Sequence, residues 1–370
     1  MPVPLLDLRA QHARIREKII PAMMQVVEDQ SFILGKPVED FERQVAALSH
    51  TKYAIGCANG SDALLLSLRA LDIGAGHEVI TTPFTFFATA GMTHNSGAKP
   101  VFADIDADTF SMNPDAAAAA VTSRTRAVMP VDLFGQMSPI ERYRAAMPKL
   151  PLIEDAAQSI GARRSFDGES RMAGEMATIG TFSFFPSKNL GGYGDGGMIV
   201  TQDDRLAMRL RRLRTHGAIK TYVHEEVGMN SRLDTLQAAV LSAKLPYLAE
   251  WSEARRRHAA YYDAAFRDLA DIRTPVIDEA NESIYNQYTI RTERRDALQE
   301  HLKTREIGTA IYYPIPLHLQ QCFAYLGFKP GAFPESERAS KEVLSLPVYP
   351  ELSQAQQDEV IEAVRSFFGR

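Results

Sequence analysis

Residues 181–197 read Thr181-Phe182-Ser183-Phe184-Phe185-Pro186-Ser187-Lys188-Asn189-Leu190-Gly191-Gly192-Tyr193-Gly194-Asp195-Gly196-Gly197. An aromatic, strand-like run ends in Pro-Ser-Lys and opens into a loop with four glycines between Gly191 and Gly196. A lone lysine is ordinarily a solvated surface charge. Here it follows an apolar strand and precedes a loop suited to close backbone approach. A lysine kept from water has a lowered pKa and serves as nucleophile or base. Gly192-Tyr193-Gly194-Asp195-Gly196-Gly197 also matches G-x-G-x-x-G, but that dinucleotide fingerprint requires a helix after it. Met198-Ile199-Val200-Thr201 reads as strand instead, so the dinucleotide reading is rejected.

Upstream of this stretch, short apolar runs at 53–57, 79–82, 100–104, 127–131, 152–155 and 179–184 alternate with helical segments, and 198–201 follows. Such alternation predicts an α/β protein with a mostly parallel sheet. Ile15, Ile19, Met23 and Val27 step by four along an N-terminal helix, which Pro21 is expected to kink or break. Beyond Arg205 the chain turns helical, with a break or kink at Pro246. A strand over 285–291 and helices over 296–305 and 354–368 complete the pattern. The expected division is a large domain over 1–245, including the N-terminal helix, and a smaller α/β domain over 246–370.

Two further segments carry chemistry. Cys57-Ala58-Asn59-Gly60-Ser61-Asp62-Ala63-Leu64 joins a strand to a helix. Gly60 permits a tight approach, Ser61 can cap, and unpaired N–H groups at such a helix start suit a phosphate. By itself an ordinary capped turn is the simpler account. Ile153-Glu154-Asp155-Ala156-Ala157-Gln158-Ser159 puts an acid at the carboxyl end of a buried strand, the edge where open α/β sheets bind ligands. Asp155 there can pair with a cationic heterocycle nitrogen or cap the next helix; the segment alone does not choose.

Composition excludes several classes. Among 370 residues, 45% are apolar and 24% charged, an ordinary globular balance. A net charge of −5 leaves no basic footprint for nucleic acid or anionic membrane. Two cysteines, Cys57 and Cys322, are neither a disulfide framework nor a metal site. The N-terminus lacks a signal-peptide core and no stretch reaches the roughly 18 apolar residues needed to span a bilayer. A cytoplasmic protein is expected. H-E-x-x-H, C-x-x-C and G-x-S-x-G are absent.

Taken in order, the three segments resemble fold-type I pyridoxal-phosphate (PLP) enzymes, specifically the DegT–StrS family of sugar-nucleotide aminotransferases. The likeness runs nearly end to end. It includes Ile33-Leu34-Gly35, Phe41-Glu42, Thr82-Pro83-Phe84-Thr85-Phe86, His216-Gly217, Gly228-Met229-Asn230-Ser231-Arg232-Leu233-Asp234 and Tyr313-Pro314-Ile315-Pro316-Leu317-His318. The resemblance implies a fold-type I transferase with a large, mostly parallel sheet domain and a smaller C-terminal α/β domain. It makes Lys188 the Schiff-base lysine and proton shuttle, with Asp155 on the pyridine nitrogen and Gln158 near the ring hydroxyl. Phe84 is expected to stack on the ring, and Gly60, Ser61 and Ser183 to hold the phosphate. Asn230 is expected to reach the phosphate of the neighbouring subunit, which implies a homodimer with shared sites.

Within that family, members acting at C-3 of a hexose tend to read Gly-x-Gly-Asp-Gly-Gly after the lysine, and C-4 enzymes Thr-Gly-Glu-Gly-Gly. Tyr193-Gly194-Asp195-Gly196-Gly197 resembles the C-3 branch. The implied reaction moves an amino group from L-glutamate to a 3-keto sugar on a nucleotide diphosphate, of the UDP-2-acetamido-3-ketoglucuronate or dTDP-3-keto-6-deoxyhexose type. Tyr193, Lys220, Arg232, Tyr313 and His318 are the substrate-binding candidates. Rival readings are a C-4 aminotransferase, a dehydratase (which carries histidine in place of the lysine) and a non-catalytic PLP-binding regulator.

Overall fold

The apolar runs become strands Tyr53–Cys57 (β1), Glu78–Thr81 (β2), Lys99–Phe102 (β3), Thr125–Val128 (β4) and Ile153–Asp155 (β5). A hairpin of Arg163–Phe166 (β6) and Glu169–Met172 (β7) follows, then Ile179–Ser183 (β8) and Gly197–Thr201 (β9). This is a computed structural model, and it describes residues 2–369. The order β1-β9-β8-β5 forms one sheet, and β3-β2-β4 forms another in which both pairings are parallel. Parallel bridges Val128↔Leu152 and Val131↔Asp155 connect the two.

The expected mostly parallel sheet is therefore two pieces, one of them mixed. β9 runs against both β1 and β8. It follows β8 through the glycine-rich loop over 184–196, which holds no crossover helix to carry the chain back to a parallel start. Every residue of β2 and β9 is buried, as expected for strands covered on both faces.

Helices Leu8–Glu28 (α1), Lys36–Leu48 (α2), Gly60–Ala70 (α3) and Ala88–Asn95 (α4) pack around these sheets. Asp7 caps α1 by accepting from the N–H groups of Arg9 and Ala10. Pro21 does not break the helix, because α1 continues through it. Pro21 faces solvent, where water can satisfy the freed carbonyl, while Ile15 and Ile19 anchor the opposite face on Val240 and Trp251. Pro246 does interrupt: a 3-10 turn over Leu245–Tyr247 separates helices Thr235–Lys244 and Leu248–Phe266.

Toward the C-terminus, Tyr288–Arg291 pairs antiparallel with Val343–Leu346. Tyr262, Phe266, Tyr288, Leu298, Leu344 and Val360 form their own core there. Val3 joins this core from the other end of the chain, with its N–H donating to the Glu306 carbonyl at 3.0 Å. No described helix is long and apolar enough to cross a membrane.

Candidate active site

β1, β5 and β8 point the same way, since β9 opposes both β1 and β8 and β5 is parallel to β8. Their carboxyl ends therefore share one edge, the ligand edge of an open α/β sheet. Asp155 ends β5, Ser183 ends β8, and Ala58-Asn59-Gly60 leaves β1.

Asn59 caps α3, its side chain accepting from the Asp62 N–H at 2.8 Å. A Cβ on Gly60 would lie 2.7 Å from Cβ of Ser183, so only glycine lets the helix start sit against the end of β8. Gly197 serves the same junction: a Cβ there would lie 2.4 Å from the Asn59 carbonyl oxygen. The product is a helix N-terminus with first-turn N–H groups beside the Ser183 hydroxyl, a cradle for a phosphate.

Asp155 is almost fully buried. Its Oδ2 accepts from Thr89 Oγ1 at 2.8 Å and its Oδ1 from the Ala157 N–H at 3.3 Å. Burial raises its pKa, against the lowering effect of the Thr89 and Ala157 hydrogen bonds and the charge of Lys188. Burial also brings the Lys188 ammonium down to about 8, with the charge of Asp155 opposing. The Lys188 backbone N–H closes a turn onto the Phe185 carbonyl at 2.9 Å, while its amine has no hydrogen-bond partner among the described residues. The site therefore presents an amine partly neutral near pH 8, a buried carboxylate and a phosphate cradle along one edge.

Gln158 is buried at the same edge. Its Oε1 accepts from the Phe134 N–H at 2.7 Å, and its Nε2 donates to the Tyr313 hydroxyl at 3.2 Å. Tyr313 is thus brought in from the C-terminal part of the chain. Burial raises its phenol pKa, so the hydroxyl stays neutral.

Phe84 does not fit the stacking position expected of it. It is 0% exposed, and its ring packs against Phe110, Phe134 and Tyr313 in a closed core. Phe86 is 57% exposed with its ring 6.2 Å from that of Tyr313, leaving a face open. Both lie in Thr82-Pro83-Phe84-Thr85-Phe86, where two aromatics two residues apart are alike until the packing is known.

The remaining candidates scatter. Tyr193 is held in place: its hydroxyl lies 2.5 Å from His12 Nδ1, its N–H donates to Gln237 Oε1, and Lys244 Nζ sits 4.7 Å over its ring. His318 is buried between Phe333 and Glu337, with Nε2 3.0 Å from the Glu337 carboxylate. Lys220 is exposed on a hairpin formed by Ala218–Lys220 and Val223–His224. Asn230 is exposed beside Ser231, whose hydroxyl accepts from the Ala58 N–H at 3.2 Å. Arg232 is half-buried and makes no ion pair among the described residues. Thr89, Asn59 and Ser231 escaped sequence reasoning, because a buried threonine, asparagine or serine carries no signal until its partner is known.

Known proteins share the sequence and the fold over nearly the whole chain. Residues 13–365 match the model of the DegT/DnrJ/EryC1/StrS aminotransferase family. The chain is 49% identical to the "pleiotropic regulatory protein" of Geobacillus stearothermophilus, covering 100% of this chain and 99% of that one. It is 43% identical to the "UDP-N-acetyl-3-dehydro-alpha-D-glucosamine 3-aminotranferase" of Acidithiobacillus ferrooxidans, covering 98% and 97%. The crystal structure of DesV from S. venezuelae in complex with a ketimine intermediate superposes with a TM-score of 0.96 at 40% identity, covering 100% and 99%. The chain belongs to the DegT/DnrJ/EryC1/StrS aminotransferases, a PLP-dependent family of sugar-nucleotide enzymes.

Proposed function

We propose that this protein transfers the amino group of L-glutamate to the C-3 keto group of a sugar carried on a nucleotide diphosphate, for amino-sugar or cell-surface polysaccharide biosynthesis. The observation that carries the reading is the unpartnered, desolvated Lys188 amine on the same strand edge as Asp155 and the Gly60–Ser183 cradle. The residues fit the cofactor at three separate points. The Gly60 cradle takes a phosphate, the ionised form of Asp155 takes a protonated ring nitrogen, and Lys188 takes the aldehyde carbon.

Bound there, pyridoxal phosphate supplies an electron sink for the carbon next to the transferred nitrogen. The chain's own groups do the rest. With a pKa near 8, the Lys188 amine both accepts and returns a proton near neutral pH. Asp155 holds a positive charge at the ring nitrogen, and Thr89 keeps that carboxylate oriented. The open face of Phe86, rather than Phe84, stacks on the ring. Gln158 aligns the Tyr313 hydroxyl over the site.

For the substrate, the Tyr193–Gly197 loop and the name of the relative from Acidithiobacillus ferrooxidans support a 3-keto sugar over a C-4 one. The unpaired guanidinium of Arg232 suits a diphosphate or a uronate carboxylate. We assign residues 1–245 to a large cofactor-binding domain and residues 246–370 to a smaller C-terminal domain. The homodimer belongs to the same reading. Ile20, Met24, Ile33, Tyr222 and Val227 are exposed apolar side chains that a second copy would cover.

Incubation with glutamate tests the reaction: the holoenzyme should convert to the pyridoxamine spectrum, and Lys188→Ala should not. A panel of UDP- and dTDP-linked 3-keto and 4-keto sugars, read by mass spectrometry, identifies the acceptor. Mixing Lys188→Ala with Asn230→Ala subunits should restore one working site per hybrid dimer if sites are shared. The name of the relative from Geobacillus stearothermophilus favours a regulator as second reading. A protein that binds PLP yet ignores glutamate would bear that reading out instead.

A further inference from the structure

Glu154 and Asp155 are consecutive on β5, so their side chains leave the strand on opposite faces. Asp155 turns to the site, while Glu154 turns inward and is 0% exposed. The parallel bridge Val131↔Asp155 puts Asp132 on that same inner face, also 0% exposed. The Asp132 N–H donates to the Asp155 carbonyl at 3.0 Å.

Donors reach three of the four carboxyl oxygens. Asp132 Oδ1 accepts from the Ser138 N–H and Oδ2 from Ser159 Oγ, both at 2.7 Å. Glu154 Oε1 accepts from the Gly174 N–H at 3.0 Å. Glu154 Oε2 is buried with no donor. Neither carboxyl has a lysine, arginine or histidine partner among the described residues. The titratable groups that act on the pair are Tyr143 on helix Ile140–Ala146, Glu175 after β7 and, from the other face of β5, Asp155, none of them a cation. Two touching carboxylates without a counter-ion are not both kept ionised in a protein interior. A proton on one of them also supplies the missing donor for the orphaned oxygen.

We propose that Asp132 and Glu154 share one proton and act as a positioning pair for Asp155 and Gln158. The pair ties β5 to the loop over 131–138, and that loop's Phe134 N–H fixes Gln158. Burial raises both carboxyls, Glu154 well above the usual range. The positioning role rests on the reading of Asp155 and Gln158 as cofactor-facing, whereas the shared proton stands without it.

The test compares the wild type with Glu154→Gln, a neutral isostere, and Glu154→Ala. A folded protein that keeps a proton its unfolded chain releases above about pH 4.3 loses about tenfold in its folding equilibrium per pH unit until the folded pKa is reached. Gln cannot release a proton. The unfolding-temperature gap between Glu154→Gln and wild type should therefore widen steadily as the pH rises above about 5. A flat gap overturns the shared proton. PLP affinity of the apoprotein, read by fluorescence quenching, tests the positioning role. Glu154→Gln should bind within about twofold of wild type and Glu154→Ala about tenfold more weakly. Equal loss in both variants, or no loss in Glu154→Ala, overturns that role. Should Glu154→Ala not fold, Glu154→Leu takes its place in the affinity measurement, with the same expected loss. A wild type that bound no PLP would instead overturn the reading of Asp155, with the thermal gap still deciding the proton.

Discussion

Thr89 donates a 2.8 Å hydrogen bond from Oγ1 to Oδ2 of Asp155, joining α4 to the end of β5. Thr85 Oγ1 lies 3.1 Å from the same Thr89 hydroxyl and steadies it. Burial favours the neutral form of Asp155, and this bond is the largest effect working against it. The carboxylate that would face a protonated ring nitrogen thus depends on a threonine from another element.

Replacing Thr89 by Val keeps the shape and removes the donor. Asp155 should then protonate at a higher pH, because the group that lowers its pKa is gone. The holoenzyme should lose cofactor on acidification at a higher pH than wild type, as followed by absorbance after dialysis. A hydrogen bond to a charged group is worth about 1.5–3 kcal/mol, so cofactor affinity at neutral pH should fall about tenfold or more.

The folded-state pKa of Lys188 lies below that of an unfolded lysine. A depressed pKa contributes stability that is present above the unfolded value, near pH 10.4, and is lost as pH falls through about 8. At pH 7 the apoprotein therefore carries a partly buried, poorly solvated charge that disfavours folding. Lys188→Met apoprotein should melt at a higher temperature than wild type at neutral pH, with the gap closing between about pH 8 and about pH 10.4. In scanning calorimetry, a gap independent of pH would count against a desolvated amine.

Phe84 and Phe86 should separate stability from cofactor binding. Phe84→Ala empties a fully buried site and should cost about 3–5 kcal/mol in denaturant unfolding. Phe86→Ala, at a half-open position, should barely move stability while weakening PLP binding. The opposite pattern would return Phe84 to the stacking role.

Arg214 pairs with Glu42 beside the end of β1, and the pair is nearly fully buried. Arg214 also donates to the Gly56 carbonyl at 2.7 Å, and Glu42 accepts from the Gly56 N–H at 2.8 Å. Arg214→Met would strand the Glu42 charge, at about 3–5 kcal/mol by urea unfolding. The Arg214 carbonyl also accepts the Ser231 N–H, and Ser231 touches Ala58, so phosphate affinity should fall with it.

β1, β2, β5, β8 and β9 were legible in sequence because each is a short run buried along all or nearly all of its length, whereas the exposed hairpin of β6 and β7 was not. β1 was placed to the residue, and β5 and β8 to within one. Other details were not legible either. Whether Pro21 breaks a helix depends on which way it faces, and α1 turns it to solvent. The reversed direction of β9 follows from how the Lys188 loop folds, which composition does not encode.

The chemistry divides the same way. Lys188, Asp155 and the Gly60 turn were singled out from sequence alone, because each follows a strand whose pattern is local. Only the tertiary structure separated Phe86 from Phe84, because exposure is set by neighbours far along the chain. It also enclosed His318 with Glu337 and brought Thr89 to Asp155 and Tyr313 to Gln158. It placed Glu154 against Asp132 on the hidden face of β5. These are contacts between residues distant in sequence, whose partners are chosen by packing.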